Sequence, residues 1–369
     1  MAYDLGVVGA GILGLAHALA AVKRGLRVVV FERDAQPNGA SIRNFGLVTI
    51  TGQDNGTIRN RALASREIWL DVAARAGIEV IHRGVLVAAQ RPEAMAVLDS
   101  YAATDEGAAC TLLTPAMVAE RQPQLDAGRF SGGLYSPHEL RVESRDALPK
   151  LVGYLATQGV EFRFFTNVVA VEPGMIRTGA GDVAAARIVV CSGDDLTGLF
   201  ADRIAARNVQ RCKLQMLRLA DPGFRLSAAI LSDLSLARYG GFAGRPETDA
   251  LKARLQAEQA EELANGIHLI VAQGADGSLV VGDSHHYGPT PDPFASEEVD
   301  RLILDEFERL FGRLELQVVA RWTGTYASSP VASFVDAPHS DIRLAMVTSG
   351  AGASTGFAIG EETITELYG

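Results

Sequence analysis

Gly6 to Leu15 reads GVVGAGILGL, and what flanks its glycines at Gly9, Gly11 and Gly14 decides the fold. Ahead of them, Tyr3 to Val8 (YDLGVV) is a short apolar run suited to a buried parallel strand. Behind them, Ile12 to Lys23 carries alanine and leucine at helical spacing. At such a junction Gly9 permits the tight turn, Gly11 lets a pyrophosphate approach the backbone, and Gly14 lets the helix pack closely on the strand. The free N–H groups at Ile12 and Leu13, with the positive end of the helix dipole, then face the phosphates. A second strand, Arg27 to Phe31 (RVVVF), ends at Glu32, 18 residues beyond Gly14, where a carboxylate accepts hydrogen bonds from an adenosine ribose. Strand, glycine turn, helix and acid-terminated strand together predict dinucleotide binding rather than packing alone. Glu32 argues against a ribose 2′-phosphate, so NADP is disfavoured despite the neighbouring Arg33, and NAD and FAD stay open. His17, inside the helix, reads as a satisfied or solvent-facing histidine.

The 369 residues, 48% of them hydrophobic, suffice for one large or two intertwined domains with a sizeable core. A formal net charge of −10 offers no basic field for phosphate backbones or anionic lipid, which counts against nucleic acid and membrane as partners. Cys110, Cys191 and Cys212 are odd in number and too widely spaced for a CxxC pair, so they read as buried or inert thiols in a reducing compartment. No apolar stretch reaches the roughly 18 residues of a membrane span. The opening residues lack the pattern of a secretory signal, and a cytoplasmic location is expected.

The far end helps to choose the cofactor. Asp341 to Thr348 (DIRLAMVT) reads as a strand, SGAGASTGF as a second glycine-rich turn, and Ala358 to Leu367 as a helix. No strand follows before Gly369 to complete a second βαβ unit, so a second nucleotide site is not expected. Gly350, Gly352, Ala353, Ser354, Thr355 and Gly356 can instead aim a helix N-terminus at another electron-rich group. A flavin ring, whose N1–C2=O edge becomes negative on reduction, is the obvious candidate. A close helix–strand crossing would ask for the same small residues.

The opening turn, SIRNFGLV (Ser41 to Val48), ARIVVCSGDD (Ala186 to Asp195) and SGAGASTGFAIGEE together resemble the D-amino acid oxidase superfamily of FAD enzymes, and within it the glycine oxidase and sarcosine oxidase branch. SIRNFG, SREIW, RWTGTY and SGAGASTGF further resemble a subgroup associated with aminophosphonate breakdown. The resemblance implies that Ser41, Arg43, Asn44, Phe45, Gly46 and Leu47 run along the pyrophosphate and flavin, with Arg43 free to pair with phosphate. It also implies that Gly159 to Val171 returns a strand to the adenine, with Val168 at the contact. Arg187 to Gly193 then looks like the last parallel strand of the nucleotide domain, its turn at Ser192 and Gly193 bringing backbone close to the cofactor.

The expected fold class is α/β: a Rossmann-like FAD-binding domain on a parallel sheet, with an inserted substrate domain on a mixed, largely antiparallel sheet. FAD-binding segments are placed at 1–75, 140–212 and 320–369, and the substrate domain at 76–139 and 213–319. GVLVAA, KLQMLRL, LARYGGFA, IHLIVAQ and LVVGDSHHYG read as strands, TPAMVAERQPQL as a short helix and turn, and Glu247 to Glu262 as a solvated helix or flap.

Flavin chemistry asks the protein chiefly to orient an amine and exclude competing reactions. Candidates are Arg238 and Tyr239, His285 and His286, and Arg321, Trp322 and Tyr326; the alternative reading makes Arg321 the anchor of an internal carboxylate and Tyr326 a core residue. His285 and His286 point to opposite faces of a strand, so no metal site is expected from them. TGTYASSPVASF lacks the cysteine through which sarcosine oxidases attach their flavin, so the FAD is expected to be non-covalent. No nucleophile elbow of a hydrolase is present. The expected activity is FAD-dependent oxidation of a small amine bearing an acidic group, an amino acid, N-methyl amino acid or an aminophosphonate such as 2-aminoethylphosphonate, to an imine that hydrolyses to an aldehyde or keto product. O2, reduced to H2O2, or another acceptor takes the electrons. Lys213, the one lysine beside a family-like segment, is the candidate cation for oxygen activation. An NAD-dependent dehydrogenase and a flavin-bearing tRNA-modification module are the alternatives.

Overall fold

In the computed structural model, which describes residues 3–54 and 56–369, the apolar strand β1 (Tyr3–Val8) turns into α1 (Ile12–Val22) and returns as β2 (Val28–Phe31). The chain leaves through β3 (Leu47–Val48), α2 (Thr57–Ala76), β4 (Val80–Ala89), α3 (Pro92–Ala102), β5 (Thr111–Leu113), α4 (Pro115–Arg121) and β6 (Gly132–Val142). It comes back through α5 (Ser144–Thr157), β7 (Glu161–Arg163), the hairpin of β8 (Val168–Glu172) and β9 (Met175–Thr178), and β10 (Gly181–Val190). After α6 (Ala201–Ala205) a second excursion carries β11 (Gln210–Leu219), β12 (Ala229–Ser232), α7 (Gly240–Ala243), α8 (Thr248–Glu258) and α9 (Ala260–Ala264). β13 (Ile270–Gln273), β14 (Leu279–Gly282), β15 (His286–Gly288) and α10 (Glu297–Phe311) complete it. The long β16 (Val318–His339) then leads to β17 (Ile342–Ser349) and α11 (Gly352–Tyr368).

The parallel sheet runs β7–β2–β1–β10–β17. Val7 lies in register with Val30 on one side and Val189 on the other, all fully buried. A sheet covered on both faces needs apolar residues at every position, which is why these strands read as unbroken Val and Ile runs. α1, α2, α5 and α11 cover one face, while Ile176 of β9 packs over Gly6 of β1 on the other. β10 is not the last parallel strand, as Arg187 to Gly193 had suggested: β17 pairs outside it, Val190 opposite Leu344. An apolar strand's place in a sheet depends on a partner 150 residues away, which its own composition does not encode.

β16 is antiparallel to β17 at one end and to β11 at the other, and so carries the chain from the parallel sheet into a second one. There β11 pairs with β14 and β15, β14 with β13, β13 with β12, all antiparallel; β12 lies parallel to β4, and β4 and β5 flank β6. Its core is built from β4, β11 to β14, α3 and α10.

Three local expectations change. LARYGGFA is no strand: the 3-10 turn Asp233–Ala237 and α7 replace it. Gly240 and Gly241 supply no side chain to a pleated face, and Gly241 N–H donates to Gly52 O, an approach that leaves an added Cβ only 2.6 Å from Gln53 O. Glu247 to Glu262 is helical but not a solvated flap, since Leu251, Leu255 and Glu262 are buried. The last helix begins at Gly352 rather than Ala358, so its first turn is made of the small residues read as a turn. No helix among the described residues is long and apolar enough to cross a membrane.

Candidate active site

A cavity of about 510 Å³ lies where the starts of α1 and α11 meet the second sheet. The glycine turn forms its cradle. An added Cβ at Gly9 would sit 2.6 Å from Cys191 O, one at Gly11 would sit 3.1 Å from Ser41 Oγ, and one at Gly14 would run into the Gly9 carbonyl. Only glycine lets the strand, helix and neighbouring turn come this close. Ile12 N–H donates to Ser41 Oγ at 3.0 Å. The N-caps of α1 and α11, Gly11 and Ala351, offer no side-chain cap, and neither helix has an acid in its first turn. Two helix ends therefore bring positive dipole charge to one cavity.

Glu32, at the end of β2, accepts hydrogen bonds from Ala10 N–H at 2.9 Å and Asp34 N–H at 3.1 Å. These hold the carboxylate at the turn while lone pairs remain for a ribose, though Glu32 and Gly9 stand behind the cavity wall rather than in it. Arg33 turns the other way: its guanidinium lies 3.7 Å from Asp195 and is more than half exposed, so it does not line the cavity. Ser41, Arg43, Asn44, Phe45 and Leu47 do line it. Asn44 mainly shapes the loop, donating to Ala40 O and accepting from Gly46 N–H and Ser144 Oγ. Gly46 sits behind it with φ of 66°, against Val142 O. Arg43 is half-buried with no ion-pair partner among the described residues. Val168 is buried in the core that includes Val29 and Phe31, behind the cavity rather than in its wall. Gly193 lines the cavity, and Ser192 Oγ is buried without a hydrogen-bond partner. Gly350, just ahead of α11, and Gly352, Ala353 and Ser354 of its first turn line it, with Thr355 and Gly356 one layer back. Thr355 Oγ1 donates to Ala351 O, and Gly356 faces Ile12 and Leu13.

This donor set fits FAD. Glycine backbone and an uncapped helix suit a pyrophosphate, Glu32 a ribose, and a second uncapped helix the anionic edge of a flavin.

The remaining wall is aromatic and charged. Arg238 donates to Tyr287 Oη at 2.9 Å, Tyr239 meets His268 edge-on at 5.4 Å, and Tyr326 meets His285 edge-on at 6.4 Å. Burial pushes the Tyr239 and Tyr326 phenols well up and keeps them neutral. Asp283 meets the Nε2 edges of two histidines stacked on each other, its carboxylate oxygens 3.3 Å from His268 Nε2 and 3.7 Å from His285 Nε2. Burial raises Asp283 to about 7, against the lowering field of Arg238. Burial and the Arg238 charge hold both imidazoles well below their usual range.

Arg321 is not in this wall: its Nε donates to Asp300 Oδ2 at 2.7 Å and the side chain is half exposed. On β16 the side chains alternate, so Tyr326 faces the cavity and Arg321, five residues away, does not. Trp322 donates to Arg43 O from outside the wall. His286 bonds to Asn265 Oδ1, away from His285, and Lys213 Nζ donates to Phe294 O. His17 is fully buried, not solvent-facing; its Nδ1 lies 2.7 Å from Leu13 O and burial lowers it to about 4. His268, Asp283 and Tyr287 escaped the sequence analysis as site residues. Asp283 and Tyr287 sit in the same DSHHYG stretch as His285, whereas His268 lies in an apolar strand run with no local signal.

The chain matches the family described as FAD dependent oxidoreductase (DAO) over residues 4–366. A glycine oxidase from Geobacillus kaustophilus is 26% identical over 219 residues, 56% of this chain and 57% of that relative, so the match spans little more than half of its length. The crystal structure of glycine oxidase from Geobacillus kaustophilus has a TM-score of 0.78 at 20% identity, covering 99% of this chain and 94% of that one. That of glycine oxidase from Bacillus cereus scores 0.80 at 17% identity with the same coverage. L-proline dehydrogenase from P. horikoshii scores 0.78 at 20% identity, again over 99% and 94%. These structures share the fold.

Proposed function

Because the chain belongs to the DAO family of FAD dependent oxidoreductases, we propose that it oxidises a small amine bearing an acidic group to an imine, which water converts to an aldehyde or keto product. FAD, not NAD, is the cofactor. One observation carries the substrate proposal: the cavity that begins at the glycine cradle ends at Arg238, a half-buried guanidinium among Tyr239, Tyr287 and Tyr326. When bound, FAD accepts the hydride equivalent from the carbon bearing nitrogen.

The chain's own residues bind and orient. Gly11 and the first amides of α1 take the pyrophosphate, Glu32, just behind the wall at Ala10, the ribose, and Gly350 to Ser354 the flavin edge. Arg43 is placed to neutralise phosphate. Arg238 takes the acidic group of the substrate, and Tyr239 and Tyr326 wall the amine away from water. Cys110, Cys191 and Cys212 are free thiols raised by burial, Cys110 and Cys212 to about 11, which supports non-covalent FAD.

A glycine oxidase among the relatives supports an amino acid or N-methyl amino acid. The resemblance of SIRNFG, SREIW, RWTGTY and SGAGASTGF supports 2-aminoethylphosphonate or its N-methyl form. With O2 as acceptor, the second product is hydrogen peroxide. Mixing the holoenzyme without oxygen with glycine, sarcosine, D-alanine and aminophosphonates, then admitting air, tests both points. Bleaching of the flavin band by an aminophosphonate, followed by recovery with peroxide, is expected. Bleaching by D-alanine alone would remove the aminophosphonate substrate, and colour that air does not restore would make the enzyme a dehydrogenase.

A further inference from the structure

Three buried side chains in the cavity wall hold more acceptors than donors. His285 Nδ1 lies 2.9 Å from Gly266 O, which can only accept, so Nδ1 carries the ring proton and Nε2 presents a lone pair. That lone pair faces Asp283 Oδ2, itself an acceptor when ionised. Across the carboxylate, His268 Nε2 approaches Oδ1, yet Asp283 Oδ1 and His268 Nδ1 are both buried without a hydrogen-bond partner. His268, Asp283 and His285 are 4%, 5% and 8% exposed, and all three line the cavity. The backbone N–H of Asp283 itself and the His268 Nε2 contact at 3.3 Å are the donors within reach, so a carboxylate buried to this extent still gains from a proton or a cation bearing N–H groups.

We propose that Asp283, flanked by His268 and His285, receives the ammonium group of the substrate and takes one proton from it. The proposal rests on the amine-oxidation function. A primary or secondary amine reaches the protein at neutral pH as its ammonium form, whereas loss of hydride from carbon needs a free electron pair on nitrogen. In the step one N–H bond breaks, its electron pair stays on nitrogen, and the proton goes to Asp283, with His285 Nε2 as the adjoining acceptor. No electrons leave the substrate in this step.

The same atoms lie within 4.8 Å of one another, as metal ligands would. Arg238 decides between the two cations. Its guanidinium lines the same cavity and acts on Asp283, His268 and His285 alike, a fixed positive charge that opposes a dication. It complements a zwitterion instead: the acidic end on Arg238, the ammonium end on Asp283. The site thus selects short molecules carrying both groups over simple amines or simple acids. The other titratable groups bearing on Asp283 are Tyr239 beside Arg238 and Cys212 on β11, both kept neutral by burial.

The test uses the FAD-bound enzyme and the amine that bleaches it best. In the wild type, the pH profile of anaerobic reduction should level off above about pH 7. In Asp283→Asn the rate at pH 7 should fall by about 100-fold and climb about tenfold per pH unit towards the amine's own pKa. Asp283→Glu should restore part of the loss. The substrate analogue lacking nitrogen, followed through the flavin spectrum, should bind Asp283→Asn within about twofold of wild type, showing an intact fold and acid site. An Asp283→Asn profile that matches wild type would overturn the proposal while leaving amine oxidation standing. Failure of every amine to bleach the wild type would remove amine oxidation itself, and this proposal with it. Zinc chloride binding at micromolar concentration, lost in Asp283→Asn and competing with the amine, would make the cluster a metal site.

Discussion

At Gly14 an added methyl group would meet the Gly9 carbonyl and come 3.3 Å from Val7 Cγ1, all backbone or buried core. Neither neighbour is the flexible end of a side chain, so relief requires α1 to move off β1. Gly14→Ala should destabilise the fold by roughly 1–3 kcal/mol and loosen the phosphate cradle, seen as a lower melting temperature and a reduced flavin-to-protein absorbance ratio after gel filtration. Arg238 and Arg321 show how far one side chain's surroundings set its work. Both are arginines beside aromatic residues, but Arg321 is paired with Asp300 and half exposed, whereas Arg238 sits half-buried in the cavity wall with a phenol as its hydrogen-bond partner.

At the scale of elements, the start of α11 is held by α2. Trp69 Nε1 donates to Ala353 O at 2.8 Å, its ring meets Phe357 edge-on at 5.0 Å, and Ala358 N–H donates to Ser65 Oγ at 3.0 Å. From the other side Thr49 N–H donates to Ser354 Oγ at 2.8 Å. The segment proposed to face the flavin is thus held by Trp69 and Ser65 on one side and the Thr49 amide on the other. Trp69→Phe keeps the aromatic contact but leaves the Ala353 carbonyl without its donor, which should cost about 1 kcal/mol. Faster FAD release, followed by the rise of free-flavin fluorescence, would show that this contact positions the helix start; an unchanged release rate would confine Trp69 to packing.

Across the molecule, a buried polar network ties the second sheet's helices to the turn after β4. Gln259 Nε2 donates to Glu306 Oε2 at 2.7 Å, Arg309 bridges Glu306 and Glu262, and Arg91 bridges Asp233, Glu258 and Gln259. Burial, and then the charge of Asp233, raise Glu306 from 4.5 to about 7. A carboxyl raised on folding binds its proton more tightly in the native state, so its stabilising contribution is present below its ordinary value and lost as pH rises through about 7. Asp283, also raised to about 7, acts with the same sign. Below about pH 6.5 the buried histidines, lowered on folding, act with the opposite sign; above it the melting temperature should fall towards pH 8, and Glu306→Gln, which keeps an acceptor for Gln259 without the charge, should flatten part of that fall in scanning fluorimetry.

What was legible in the sequence is what short-range geometry dictates. Gly9, Gly11 and Gly14 must form a strand-to-helix turn because no larger residue fits, and Glu32 must follow because β2 ends there. The same holds for the parallel strands, whose burial on both faces demands continuous apolar runs, and for the small residues at the start of α11. Tertiary structure alone decided the wall around Arg238 and Asp283. His268 and Asp283 lie 15 positions apart with β13 and β14 between them, and they meet because those strands pair antiparallel. Arg321 was drawn away by Asp300, 21 residues earlier on α10. Backbone constraints act between neighbours and leave marks at fixed spacings, whereas a buried charge takes its role from whichever partner the folded chain delivers.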